Sequence, residues 1–351
     1  MSSLLAGVRV LDLSIWRPGP YATSLLCALG ADVMKVEPPG GDPMRHYTEL
    51  FEGVNAGKRS LVLNLKDPRD RAQAMELAHQ ADVVVEGFRP GVMERLGLDE
   101  PVVRAANPGV VYCSISGYGQ HGELAQVPGH DVNYQARAGA LAPEGGTATM
   151  PPLPVADLAS GMAAAFGICA ALLGRGQSGA GTYLDLSMTD VMATWTGAAS
   201  ATPVTAPTGR VAPKKVPGYG LFATRGEGQV ALGVVSEQHF WTGLCHELGL
   251  SELADLPFEE RTGRGAELND AITASIAGRE RDELVAALLH AGVPVAPVFD
   301  RVSMVASAPF PPFPIRLATG PALPGAPALD EHRGQRFLQP KSPSPSALLE
   351  P

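Results

Sequence analysis

The feature that most constrains this chain is the regular exchange of short apolar runs for longer amphipathic ones through its N-terminal half. Residues 8–13, VRVLDL, form a β-branched and leucine-rich run, and YATSLLCALGADVMKVEPP then reads as a helix, a glycine stop and a second strand. The exchange recurs. RSLVLNL is strand-like, PRDRAQAMELAHQA is an amphipathic helix, DVVVEGF is a strand, ERLGLDEPVVRAAN is helical and VVYCSIS is a strand again. Strands separated by helices are joined by crossovers rather than hairpins, so they pair in parallel and the helices cover the sheet. The expected fold is therefore α/β, with a Rossmann-like parallel-sheet large domain. The first turn lacks the G-x-G-x-x-G of a dinucleotide site, because prolines 18 and 20 stand where glycines would be needed, and this disfavours a nicotinamide or flavin enzyme.

Beyond this alternation, residues 158–173, LASGMAAAFGICAALL, are dense in alanine and glycine and uncharged, which predicts a buried helix at the centre of the protein. A large domain over 1–200 is expected to end in a Pro- and Thr-rich linker, 201–218. A smaller α+β domain, 219–304, should follow, with a hairpin around Gly226 to Gly228 and helices through Ile276 and through ERDELVAALLHAG. The proline-rich segment 305–351 cannot be regular over most of its length and is expected to complete the large domain in extended form. There is no repeat of fixed period, which removes solenoids and propellers.

The formal net charge is −9 and no run of lysines or arginines interrupts it, so a nucleic-acid partner is not expected and any anionic ligand needs a local basic cluster. Cys27, Cys113, Cys169 and Cys245 lie far apart in apolar contexts, without zinc or disulfide spacing. They read as buried thiols of a reducing cytoplasm, with no metal site. The N-terminus has no basic region followed by a long apolar core, and neither a targeting nor a membrane segment is expected.

Two segments place ionisable side chains among glycines and apolar residues: Gly129-His130-Asp131-Val132-Asn133-Tyr134, and Val155-Ala156-Asp157 at the start of the Ala-rich helix. By position alone Asp157 reads as an N-cap, and His130 and Asp131 as a turn histidine and a second cap. Together, an imidazole and a carboxylate are also the residue types that move protons near neutral pH.

These segments resemble family III CoA-transferases, the superfamily that also contains the α-methylacyl-CoA racemases. The likeness runs from LAGVRVLDL through GADVMKVEPPGGD, NAGKRSLVLNLK, ADVVVEGFRPGVMERLGL and YCSISGYGQHG to GHDVNY, PVADLASG and GQSGAGTYLDLSM. It implies that Asp157 is the essential residue, a nucleophile in transferases and an acid or base in racemases. A histidine at the position of His130 is the racemase pattern. On that reading the chain is an acyl-CoA racemase or epimerase inverting the α-carbon of a 2-methylacyl-CoA-like thioester through an enolate, with Asp131 orienting His130 or nearby backbone and Glu237 joining the hydrogen-bond network around the His130 and Asp157 pair. Two alternatives stand beside it: a CoA transferase working through an aspartyl anhydride on Asp157, and a non-catalytic CoA-binding protein.

Coenzyme A enters as part of the thioester, with no tightly bound cofactor. The resemblance implies contacts from Leu63, Asn64, Leu65 and Lys66 to the adenine, from Gly87, Phe88, Arg89 and Arg95 of the GFRPGVMERLG block, and from Gly129 and Tyr134. Lys58 and Arg59 join Lys66, Arg89 and Arg95 as candidate phosphate cations. Backbone N–H groups at the start of the helix after Asp157 are candidate donors to the enolate oxygen. The resemblance further implies an interlocked homodimer, each subunit threaded through the other.

Overall fold

In the computed structural model, residues 3–141, 147–196, 216–307 and 323–338 are described. The chain divides into two compact units, Met1–Ala206 with Pro311–Pro351, and Pro207–Phe310. Most of the 201–218 stretch and of the 305–322 stretch lies outside the described residues.

The first unit runs β1 (Arg9–Leu13), α1 (Gly19–Ala28), β2 (Asp32–Glu37), α2 (Thr48–Asn55), β3 (Arg59–Val62), α3 (Pro68–Gln80) and β4 (Val83–Glu86). It continues through α4 (Val92–Leu96), α5 (Glu100–Ala106), β5 (Val111–Ser116), α6 (Asp131–Arg137), α7 (Val155–Ser178), β6 (Thr182–Ser187) and α8 (Met188–Trp195). Its six strands lie in the order β3-β2-β1-β4-β5-β6, every neighbouring pair parallel. Every residue of β1, β2, β4 and β5 is buried, as expected of strands covered by helices on both faces. The chain leaves β1 toward β2 on one side, and β4 lies on the other, so the order reverses between β1 and β4. A crevice opens at such a switch point, outside the carboxyl ends of the strands.

Residues 323–338 carry no helix or strand and lie along the β3 edge. His332 N–H donates to the Ser60 carbonyl (3.0 Å), Val62 N–H to Asp330 Oδ1 (2.9 Å), and Arg59 Nη1 to the Arg336 carbonyl (2.7 Å). The tail thereby occupies backbone groups that an edge strand would leave open.

The Ala-rich helix is longer than expected and is not central. On one side of α7, Ala156, Ala159, Ser160, Gly161, Ala164, Ala165 and Ile168 are buried, packing on α1, β5 and β6, while Met162, Phe166 and Leu173 on the other are 49%, 76% and 72% exposed. Small residues let the backbone approach its neighbours on one side only, so composition overstated the burial. By length and apolar content this helix is long enough to cross a membrane; here it packs on α1 and the sheet.

The second unit comprises β7 (Tyr219–Ala223), β8 (Gln229–Gly233), α9 (Gln238–Leu248), α10 (Phe258–Gly263), α11 (Gly265–Ile276), α12 (Arg281–His290), β9 (Val295–Pro297) and α13 (Arg301–Ser307). Its antiparallel sheet has the order β7-β8-β9 and packs its own core around Trp241, Leu244 and Leu268.

Candidate functional site

Construction of the site begins with buried charges at the end of β1. Lys58 Nζ donates to Asp12 (3.1 Å), the Asn55 side chain (3.0 Å) and the Pro20 carbonyl (2.8 Å), while Lys35 Nζ donates to the Ser14 carbonyl (2.8 Å) and pairs with Asp42 (2.9 Å). Burial alone would raise the Asp12 carboxyl, but Lys58 and Lys35 outweigh it and hold it at about 2. Burial draws Lys58 down to about 8. These satisfied ion pairs clamp the loop between β1 and α1. Ser14 is held through its carbonyl and Trp16 through its N–H to Asp42 Oδ1 (3.2 Å). Trp16 sits at φ 57°, a left-handed conformation rare for a bulky residue and tolerated where surrounding structure enforces it.

That loop forms one wall of a cavity of about 780 Å³ at the switch point. Facing it are Gly87, Phe88 and Arg89 after β4, Ser116 ending β5 with Gly117 after it, and Gly129, His130, Asp131, Asn133 and Tyr134 with Asp157. Six of the sequence-predicted residues therefore share it with the His130 and Asp157 pair: Gly87, Phe88, Arg89, Gly129, Asp131 and Tyr134. Tyr134 is buried, and its hydroxyl donates to the Gly129 carbonyl (2.6 Å). Added Cβ atoms at Gly117 and Gly129 would lie 2.4 and 2.7 Å from the Tyr134 ring, so both glycines are needed for its seating. Tyr134 thus shapes the wall as well as lining it, and burial pushes its phenol up to about 12.

Asp157 is the third residue of α7 and does not act as a cap through its side chain; Pro154 occupies the N-cap. Its N–H instead donates to Asp131 Oδ1 (3.0 Å), while Asp131 Oδ2 accepts from Gln135 Nε2 (2.5 Å). Of the two expected targets, His130 or nearby backbone, Asp131 takes the backbone and braces the start of α7. The Leu158 N–H donates to the Pro154 carbonyl (3.1 Å). With the Asp157 and Leu158 N–H groups both engaged, neither serves as the expected enolate donor. Burial, with the Asp131 charge adding to it and Arg17 opposing, raises the Asp157 carboxyl to about 7. His130 is exposed to the cavity as the N-cap residue of α6, its N–H donating to Asn133 Oδ1 (3.0 Å).

A second cavity of about 360 Å³ adjoins the first, sharing Ile15 and Phe88. Leu63, Asn64, Leu65, Lys66 and Arg95 line it, together with Pro38 and Pro39. Lys66, Arg89 and Arg95 are exposed and in no ion pair among the described residues. Lys58 and Arg59 are not available for phosphate: Lys58 is spent on Asp12, and Arg59 on Asp32 (2.9 Å) and the tail. Glu237 lies in the second unit, preceding α9, and is not among the side chains the first unit gathers around its cavity.

Two residues were not singled out from sequence. Glu86, buried at the end of β4, accepts from the Phe88 N–H (2.8 Å), and burial raises its carboxyl to about 7. Arg17 lines the larger cavity, and its Nε is buried without a partner. The signal for Arg17 was its place in the first βα turn, where a parallel sheet binds ligands.

A doubly wound sheet whose switch-point cavity joins a poised carboxyl, an imidazole and free cations defines an α/β enzyme for an anionic, extended substrate. Comparison with known proteins gives the family. The CoA-transferase family III profile matches residues 5–310, and the chain belongs to that family, whose members act on acyl-CoA thioesters. It is 36% identical to acetyl-CoA:oxalate CoA-transferase of Acetobacter aceti, over 84% of this chain and 80% of that one. It is 38% identical to the human alpha-methylacyl-CoA racemase, over 53% of this chain and 48% of that one. Among solved structures, Rv3272 from M. tuberculosis superposes with a TM-score of 0.81 at 28% identity, covering 94% of this chain and 98% of that one. The chain is accordingly an enzyme of one of two kinds, CoA transferase or acyl-CoA racemase.

Proposed function

We propose that the protein inverts the α-carbon of a 2-methylacyl-CoA-like thioester. The observation that carries this reading is that His130 and Asp157 line one cavity while the Asp157 carboxyl is raised to about 7. A group titrating near the working pH can both take and return a proton, which inversion demands and which nucleophilic attack by a carboxylate does not. One of the pair removes the α-proton, the thioester becomes an enolate, and the other protonates the opposite face. The CoA portion follows the second cavity, with Lys66, Arg89 and Arg95 receiving phosphates and Leu63 to Leu65 beside the adenine. Coenzyme A arrives as part of the substrate, and no resident cofactor is needed.

A second reading is favoured by the breadth of the transferase likeness, 84% of this chain against 53% for the racemase. In it an Asp157 oxygen attacks the thioester carbonyl, the C–S bond breaks, CoA leaves as the thiolate and a mixed anhydride remains. Deuterium wash-in at the α-carbon without an acceptor acid supports inversion. Hydroxylamine trapping of an acyl group on Asp157, with no wash-in, overturns it.

We also propose a homodimer, interlocked as in the family. The apolar stripe Met162, Phe166 and Leu173 on α7 supports a partner there, and the connections that would thread, 197–215 and 308–322, lie outside the described residues. Four free cysteines, three of them buried and Cys169 half-buried, support a reducing, cytoplasmic setting.

A further inference from the structure

Among the described residues β3 is an edge strand, paired within the sheet to β2 alone. Where it ends, the chain runs into residues 63–66, one stretch of the second cavity's wall; residues 37–39, at the end of β2, supply another. The far side of β3 is covered by the tail, and covering an edge requires only backbone groups. At Val62, the last residue of β3, the cover departs from that pattern. The Val62 N–H donates to the side chain of Asp330 (2.9 Å) rather than to a carbonyl, and Asp330 sits at φ 57°. That left-handed conformation is free only to glycine, and among other residues asparagine and aspartate tolerate it best.

Asp330 is tied at three points. Its Oδ1 accepts from Val62, its Oδ2 accepts from Arg333 Nε, and its own N–H donates to Ser60 Oγ (3.1 Å). Ser60 Oγ donates in turn to Glu37 Oε1 (2.5 Å), a buried carboxylate that lines the second cavity. Arg45 holds both Glu37 oxygens (2.6 and 2.7 Å) and donates from Nη1 to the Pro327 carbonyl of the tail (3.1 Å). One tail residue thus reaches both stretches of wall, residues 63–66 through the Val62 peptide group and residues 37–39 through Ser60 and Glu37. Protection of the edge accounts for the backbone bonds but not for a carboxylate kept in a left-handed conformation, which persists only where surrounding structure demands it. The tail lies beyond residues 5–310, the span of the family match.

We propose that Asp330 is a positioning residue for the second cavity, setting the spacing of residues 37–39 from residues 63–66 and with it the fit of the nucleotide end of coenzyme A. This rests on the reading that the nucleotide end occupies that cavity, and on neither reading of the reaction. The probes are coenzyme A, its adenosine bisphosphate portion alone, and phosphopantetheine, which lacks the adenosine. Calorimetric dissociation constants are compared between wild type and variants.

Asp330→Gly keeps the left-handed backbone without strain and removes only the acceptor. Affinity for coenzyme A and for the adenosine bisphosphate should fall by about 10-fold, the loss of one charge-assisted hydrogen bond, while phosphopantetheine stays within about twofold. Asp330→Asn keeps an acceptor oxygen and tolerates the same backbone, so both affinities should return to within about threefold of wild type. Ser60→Ala, which cuts the other arm, should repeat the glycine pattern. Equal weakening of coenzyme A and phosphopantetheine in Asp330→Gly, a general loosening, overturns the proposal. So do unchanged affinities for all three probes, or an Asp330→Asn as weak as the glycine variant. Lys66→Ala combined with Arg95→Ala separates this result from the reading beneath it. If that double variant binds the bisphosphate as tightly as wild type, the nucleotide lies elsewhere and both fall; if it binds weakly while Asp330→Gly is unchanged, the cavity reading stands and the Asp330 assignment alone fails.

Discussion

At the residue scale, the proposed inversion rests on how one carboxyl is raised toward neutral pH. Asp157 lies half-buried at the head of α7 with Asp131 bonded to its backbone, so burial and a like charge act together on it. Its folded value of about 7 lies above the ordinary 3.8, so the folded chain binds that proton more tightly than the unfolded one. The resulting stabilisation is complete below the ordinary value and is lost as pH rises through about 7. Asp157→Asn should therefore be more stable than wild type at pH 8, by about 1–3 kcal/mol, with the gap narrowing toward pH 5. Urea midpoints at both pH values measure it, and a gap of equal size at both would refute the origin assigned to the shift. His130, Asp131 and Asp157 were legible from their motifs. Their division of labour was not, because which backbone N–H Asp131 reaches depends on how α6 meets α7. Lys58 and Arg59 misled for a related reason: a sequence displays a cation but not the buried Asp12 or Asp32 that consumes it.

At the element scale, the alternation of strand and helix disclosed a parallel sheet but not its order, since crossovers of similar length serve several arrangements. The order matters because it places the β1 and β4 loops on either side of the crevice. Helix α7 completes the site by pressing on the β1–α1 loop. A Cβ at Gly161 would lie 2.8 Å from both the Pro18 carbonyl oxygen and the Tyr21 ring. Alanine elsewhere in a helix interior is favoured over glycine by about 1 kcal/mol. Here the collision should reverse the sign, and Gly161→Ala should destabilise the protein by about 1–3 kcal/mol. It should also raise KM by displacing Arg17, one residue from the contact. An unchanged melting temperature together with unchanged KM would contradict this packing account. The error over α7 has the same root as its function: alanine and glycine signal close approach on one face, and the second face was read with it.

At the scale of the whole molecule, the two-unit division places the His130 and Asp157 cavity within the first unit, with Glu237 in the second. The exposed stripe on α7 is where the proposed dimer would pack. Phe166 is 76% exposed in the single chain, so a charge there costs nothing in a monomer and much in a packed dimer interface. Light scattering should find wild type dimeric and Phe166→Glu monomeric; a wild-type monomer would end the assembly proposal. The central claim, that an imidazole and a carboxyl serve opposite faces of one α-carbon, is tested most directly by stereoisomer-resolved exchange. Each enantiomer of a 2-methylacyl-CoA is incubated in deuterated water with His130→Ala and with Asp157→Asn, and deuterium and configuration are followed by NMR. Inversion should fall by at least about 100-fold in both variants, while each still exchanges the one enantiomer that its remaining base can reach. Inversion at the wild-type rate in His130→Ala would contradict the two-base account.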